Sequence, residues 1–415
     1  MRTVLDRLGW LAAFGTRPAR LVALTGLTDA AGTGIAAACL PFYLIRGAHF
    51  SALEVALALT VTGAAELAGA VPNGMLARRF GVRRYLIVNK SAQAVLWVAL
   101  GLVTQLPVVI AVLLLIGYSR GGLGGLSQSF TAAAVGTRRR SEILGAVRSL
   151  RNIGYLVAGG VVAALLSVGG TGTLTAALVL NAASYAIGAF CAWQIRVEAR
   201  PAREESAPRS GAVLRDPGYL CLIPLAAVFA TTAMVLDVGL PLWVLRHHRI
   251  PAAIVGVVLV INTAIVIVAQ FQVARRLDTV RAAVRGMWVS AAALLVAAVC
   301  IGVTAHLGTG LSALLLVVAA LALTAAELWE SPSWWTLSFE LAPVARRDEY
   351  LATFDVSSSL VALVGPAAMT LIVAAGPGGW VAYGVVALLA AGLTSLAVRP
   401  RVAIAEPSEA EGAVA

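Results

Sequence analysis

Charge is scarce in this chain. Asp, Glu, Lys and Arg make up 12% of its 415 residues, 60% are hydrophobic, and the mean hydropathy is +0.89. A soluble domain is about a quarter charged, so a water-soluble globular protein is excluded and an integral membrane protein is expected. Lysine is nearly absent, with Lys90 its sole representative. Cys39, Cys191, Cys221 and Cys300 lie far apart, with no Cys-x-x-Cys or Cys/His spacing, so neither a disulfide framework nor a zinc site is expected. No Gly-x-x-x-x-Gly-Lys-[Ser/Thr] loop occurs, which excludes a self-contained ATP-driven pump. A membrane-embedded lipid enzyme would need clustered Asp, paired His or a Ser/His couple at the membrane surface, and none is evident. The adjacent His247 and His248 point in different directions, and no metal or other cofactor is expected.

What the chain does have is long apolar runs. A bilayer core of about 30 Å needs about 20 apolar residues per helix. Runs near 20–45, 52–76, 84–105, 107–135, 142–168, 172–195, 219–245, 252–274, 286–305, 311–338, 350–375 and 379–398 predict an all-α membrane protein of twelve transmembrane helices. The first run is long enough to span and follows an Arg-bearing amphipathic stretch, 1–20, so an interfacial helix is expected rather than a cleavable signal. With both termini cytoplasmic, only Arg46, Arg246 and Arg249 of the 31 basic residues fall in outer loops, and only Arg120 inside a span; Lys90 counts with the inner-side cations. That bias sets the orientation and accounts for the net charge of +11 without nucleic acid.

A polar connection at 196–217, rich in Arg, Glu, Pro and Ser, separates an N-terminal six-helix half (1–195) from a C-terminal six-helix half (218–400), and a flexible cytoplasmic tail (401–415) follows. A weak internal repeat supports two pseudo-symmetric bundles. Ser51 to Phe80 parallels Pro251 to Leu277, and Glu142 to Gly160 parallels Glu349 to Pro366.

Ionisable groups inside a bilayer cost a few kcal/mol each on insertion scales. The chain places Asp29, Glu66, Asp237, Glu327, Glu330 and Asp355 in its spans against a single base, Arg120. Such acids are natural carriers of protons or cations. Asp29 shares a helix face with Thr25 and Thr33, and reads either as a cavity-lining proton or cation site or as an acid paired with a neighbouring helix. Glu66 is the expected partner of Arg120. Glu327 and Glu330 share a face and form the first choice for coupling or for binding a cationic substrate; alternatively Glu330 reaches the cytoplasmic interface and is solvated. Asp237 is placed toward the outer half of the cavity, and Asp355 near Arg148 or Arg151. Asn262 and Gln270 on one span and Trp329 on another are candidate cavity lining, while Trp334 and Trp335 read as interfacial anchors.

The stretch from Pro72 to Arg84 reads as a tight basic loop between two spans, with Gly74 and Gly81 letting the chain reverse and Arg78, Arg79, Arg83 and Arg84 holding it at the cytoplasmic face. It resembles the signature between the second and third helices of the major facilitator superfamily: Gly74, Leu76, Ala77, Arg79, Gly81, Arg83 and Arg84 match, and Arg78 stands where the family usually has aspartate. Arg120-Gly-Gly-Leu-Gly124 resembles the fourth-helix motif of proton-coupled members. Glu327, Glu330, Pro332, Leu341-Ala342-Pro343, Arg346 and Tyr350 resemble the tenth helix and following loop of the drug-efflux branch, whereas Gly154 to Gly160 keeps only part of the fifth-helix antiporter signature. The resemblance implies two halves rocking about a midplane site, with Gly74, Arg79, Gly81, Arg83 and Arg84 as a gating loop. The expected activity is proton-coupled efflux of small hydrophobic or cationic compounds; the alternative is uptake of a small metabolite, proton-coupled or facilitative. The expected setting is a monomer in the bacterial inner membrane, with protons and a small molecule as its partners.

Overall fold

The computed structural model describes residues 13–168, 170–196, 212–247 and 253–405. Most of the expected interfacial helix, most of the 196–217 connection and the end of the tail lie outside the described residues. All regular structure among these residues is helical. Among the described residues nine helices are long and apolar enough to cross a membrane, or ten if one bent pair counts as a span. The helices Val82–Leu100 and Arg140–Val168, where the sequence predicts two further spans, are not in that set; the first of them carries Arg83, Arg84 and Lys90.

The chain divides into two compact units. One holds residues 1–212 together with 345–356, and the other holds 213–344 and 357–415. In the first are α1 (Arg17–Phe42), α2 (Ala52–Phe80), α3 (Val82–Leu100), α4 (Leu106–Arg120), α5 (Leu123–Val135), α6 (Arg140–Val168) and α7 (Thr171–Gln194). The second contains α8 (Leu222–Met234), α9 (Leu240–Arg246), α10 (Ala253–Ala274), α11 (Val280–Val303) and α12 (Thr309–Glu340). The short helix α13 (Arg347–Phe354) returns to the first unit, and α14 (Val356–Ala374) and α15 (Pro377–Ala405) complete the second.

Local chemistry starts these helices. Thr16 caps α1, its hydroxyl accepting from the Ala19 amide at 3.4 Å, and Ser51 and Glu54 form a reciprocal capping box on α2. The expected loop from Pro72 to Arg84 is almost entirely helix. α2 runs through Pro72, Asn73 and Gly74 to Phe80, and only Gly81 (φ +86°) separates it from α3. Proline and glycine are tolerated within spanning helices when neighbouring groups pack against them. Here the Asn73 amide donates to the Tyr118 carbonyl at 2.7 Å and the Gly121 carbonyl at 2.9 Å.

The expected span at 107–135 is broken. α4 and α5 bend by 41° at Gly121-Gly122, where Gly122 takes φ +75°, a conformation that other L residues rarely adopt. The pair also lets backbones touch: a Cβ on Gly117 would strike the Thr62 backbone, and one on Gly121 the Glu66 carbonyl. Between them α1 to α4, α6 and α7 enclose an apolar core that includes Leu44, Ala58, Leu100, Leu113, Ile116 and Leu178. Because a side chain at Gly117 meets backbone, which cannot rotate away, Gly117→Val is expected to destabilise by about 1–3 kcal/mol through overpacking. A thermal-unfolding midpoint unchanged from wild type would refute that packing.

In the second unit Asp216 caps the helical turn Pro217–Leu220 by accepting from the Tyr219 amide at 3.0 Å, and the Tyr219 hydroxyl donates to the Ser338 carbonyl at 2.9 Å. Trp243 and Trp380 are fully buried and meet edge to face at 5.9 Å. The Trp243 indole N–H finds a partner in the Thr304 hydroxyl at 2.9 Å. Both units carry a π-helical turn at the outgoing part of their first long helix, Tyr43–Gly47 and Val235–Gly239. α15 runs to Ala405, past the predicted end of the last span and into the predicted tail.

Candidate functional site

Two ion-pair clusters of the first unit lie between its long helices. At one, α1 and α3 are joined by an ion pair: Lys90 Nζ donates to Asp29 Oδ2 at 2.6 Å. The sequence assigns Lys90 to the inner-side cations, but the structure buries it within α3, its ammonium also 5.5 Å from the centre of the Tyr185 ring on α7. The single-base interior expected from the sequence is therefore corrected by a second base. Of the two readings of Asp29, the pairing with a neighbouring helix is the one the geometry displays. Around it, Thr25 bonds back to the Leu21 carbonyl at 3.0 Å and Thr33 is half-buried. Gly32 abuts Ser184, and Ser184 bonds to the Asn181 carbonyl at 2.7 Å.

At the other place Arg120, the last residue of α4, lies 3.5 Å from Glu66 on α2, the partner expected from the sequence. Arginine stays charged at any accessible pH, so inside a span it requires such a partner. Asp355 is near as well: its Oδ2 accepts from the Gly124 amide at 2.9 Å, in the first turn of α5, where a negative charge meets the positive end of the helix dipole.

The glycine-lined corner formed by α2, α4 and α5 receives α13. The Cβ position of Gly74 lies 2.9 Å from the Glu349 Cα and 2.8 Å from the Ala352 Cβ, and that of Gly122 lies 2.7 Å from the same Cβ. Ser129 donates to Asp348, and Arg78 Nε lies 4.0 Å from Glu349, a fully buried carboxylate neither of whose oxygens accepts a hydrogen bond. Arg78, the residue that departs from the family signature, thus faces an acid in the first turn of α13. The other members of the expected gating loop separate. Arg83 donates to the Ala192 and Trp193 carbonyls at 3.2 and 2.6 Å, satisfying the open end of α7, while Arg84 and Arg79 are exposed and Arg79 stacks on Phe80.

In the second unit Glu327 accepts from the Asn262 amide at 3.0 Å, and the same amide reaches Thr324 at 3.2 Å. Asp237 lies in the π-helical turn. Glu330 is buried and accepts from the Ser331 hydroxyl at 3.0 Å, so its alternative reading as a solvated interfacial group is corrected. Pro332 and the helix beyond it carry α12 on to Glu340, which keeps Glu330 well inside the helix. Gln270 is fully buried with neither amide atom hydrogen-bonded. Trp329 is half-buried. Trp334, expected as an interfacial anchor, is instead buried against Phe229 at 6.2 Å. Lys90, Tyr185 and Glu349 were not singled out as site residues from the sequence; the signal available for Lys90 was its uniqueness in the chain.

A family profile described as "Major Facilitator Superfamily" matches residues 22–366. No curated protein sequence matches the chain. Among solved structures it is similar to a bacterial homologue of the iron transporter ferroportin in an outward-facing state, with 14% identity over 92% of this chain and 98% of that one at a TM-score of 0.70. It is similar to the human organic anion transporter MFSD10, with 15% identity over 91% and 99% at 0.64. It is also similar to the fucose:proton symporter FucP of E. coli, with 14% identity over 91% and 98% at 0.63. Their cargoes differ and their identities to this chain are low, so they share its fold and no more. With a profile that spans most of its length, this multi-pass membrane protein belongs to the major facilitator superfamily.

Proposed function

We propose that the protein is a proton-coupled secondary transporter that exports small hydrophobic or cationic compounds. Its twelve helices have both termini on the cytoplasmic side, and two halves alternate access to a midplane site. The reading rests above all on the carboxylates of the second unit. Glu327 on α12 and Asp237 in the π-helical turn are both acids within apolar spans, and an acid inside a span is relieved by one proton or one cation. Competition between the two is the simplest way to exchange them. Asn262 fixes the Glu327 carboxylate without adding charge.

The experiment is proton flux in inside-out vesicles with an acidic lumen, challenged with lipophilic cations and neutral drugs. Substrate-dependent proton release is expected in wild type and is expected to be lost in Glu327→Gln with Asp237→Asn. Release that persists in the double variant refutes the assignment to these acids. The same carboxylates would serve uptake of a metabolite, the second reading, and the direction of the pH change on adding substrate separates them: a symporter takes protons in with its cargo.

A further inference from the structure

Asp237 sits where α8 and α9 fail to join as one α-helix. Within the span Pro217–Arg246 they meet through the π-helical turn Val235–Gly239, which the Leu240 amide closes by donating to the Val235 carbonyl. A π-helical turn bonds each amide to the fifth residue before it rather than the fourth, so it holds one residue more than an α-turn. Pro241 supplies a local cause. In an α-helix residue 241 would donate to the Asp237 carbonyl, and proline has no N–H to give.

Anchors on either side hold the extra residue in place. Before the turn, the Thr231 and Tyr383 hydroxyls share a hydrogen bond of 2.9 Å, and Phe229 meets Trp334. After it, Trp243 is bonded to Thr304, and Arg246 donates to the Val373 and Ala374 carbonyls at 2.6 and 3.0 Å, filling the open end of α14. Across the turn the contacts are reciprocal. The Cβ position of Gly365 lies 3.2 Å from Met234 Sδ, and that of Gly239 lies 3.2 Å from Met369 Sδ and 3.1 Å from the Trp380 ring. Met234 and Gly239 therefore both face α14 although they are five residues apart, whereas an α-helix brings residues three and four apart onto one face. Of the residues between them, Val235 and Leu236 are buried and Val238 is half-buried, while Asp237 is exposed.

We propose that this π-helical turn is a positioning device for Asp237. In an uninterrupted α-helix the third residue after Met234 lies on the face of Met234 itself, against α14. The wider turn carries that residue round into the open while both ends of the span keep their packing, and Gly239 is the positioning residue that lets the turn lie against Trp380 and Met369. The inference rests on the export reading above, in which Asp237 serves the transport path, and adds the backbone element that aims it.

The test uses the full-length protein in lipid nanodiscs, where a charged maleimide reaches both faces. Labelling is read peptide by peptide, with the exposed native Cys221 as internal standard. Asp237→Cys is expected to label and Leu236→Cys to resist; the reverse order, or no labelling at either, overturns the inference. Deleting Val238 brings Met234 and Gly239 to four apart and leaves a plain α-helix. In that background Asp237→Cys is expected to lose its labelling, and labelling that persists in the folded variant overturns the inference; should the shortened chain not fold, the order of the two cysteine variants decides alone. Proton release separates aiming from general damage. Deletion of Val238 is expected to lower substrate-driven release as far as Asp237→Asn does, with no further loss when the two are combined, since both act through one carboxylate. A further loss in the combination overturns the role given to the turn. Release that persists in Glu327→Gln with Asp237→Asn instead defeats the export assignment, and the labelling order still judges the turn by itself.

Discussion

Arg78→Met is expected to destabilise the protein by about 3 kcal/mol, the lower end of what is lost when one partner of a buried pair is removed. Glu349 is fully buried with no hydrogen bond to either oxygen, and Arg78 at 4.0 Å is its counter-charge. Arg78 itself is 27% exposed, so solvent screens part of the interaction and the upper end of the range does not apply. Removing both partners is the informative comparison. Arg78→Met with Glu349→Met leaves no orphaned charge and is expected to regain most of the loss, because the cost of the single variant lies in the stranded acid rather than in the missing attraction. Thermal unfolding of the wild type and three variants measures the cycle. If Glu349→Met alone proves as damaging as Arg78→Met alone and the two losses simply add, the residues are not coupled. The charge reversal Arg78→Asp, which restores the residue the family signature usually carries, is expected to be worse than methionine here, since it sets two acids face to face.

The second large effect is expected at Arg120. It ends α4 at the bend, 3.5 Å from Glu66. Arg120→Met is expected to lower substrate-driven proton flux by about a hundredfold, equivalent to about 3 kcal/mol, because it leaves acids uncompensated inside the span. Arg120→Lys is expected to recover only part of this. A point charge on a shorter reach cannot reproduce the planar, multiply bonding guanidinium. Glu66→Gln combined with Arg120→Met restores neutrality; it is expected to fold better than Arg120→Met yet still transport poorly. Full transport by that double variant would make the pair a structural tie and nothing more.

Much of this was legible in the chain because membrane burial makes residue type informative. Asp29, Glu66 and Arg120 stand out in apolar runs, and the pairing of the last two follows from similar depth. Lys90 was hidden for a physical reason: it lies a few residues beyond Arg83 and Arg84, where a cation reads as part of a basic loop, and nothing local says that the helix has already turned it toward Asp29. The bend at Gly121-Gly122 was obscured because hydropathy is continuous across it. Gly74 suggested a turn, but what it and Gly122 pack against, α13, lies more than two hundred residues away in sequence. Such contacts have no local signature. The same holds for Trp334: an aromatic near the end of an apolar run suggests a bilayer anchor until the helix is seen to continue past it to Glu340.

The return of residues 345–356 to the first unit also sets an order of manufacture. When the ribosome has finished residue 212, the corner lined by Gly74, Gly122 and Gly125 has no helix in it, and the chain that fills it is still unmade. At about 5–20 residues per second, the delay until residue 356 is on the order of ten seconds. During that interval Ser129, Gly124 and Arg78 wait for Asp348, Asp355 and Glu349. Biosynthesis of the first unit therefore ends after most of the second has been inserted, and a chain halted between them is left with an unfinished first half.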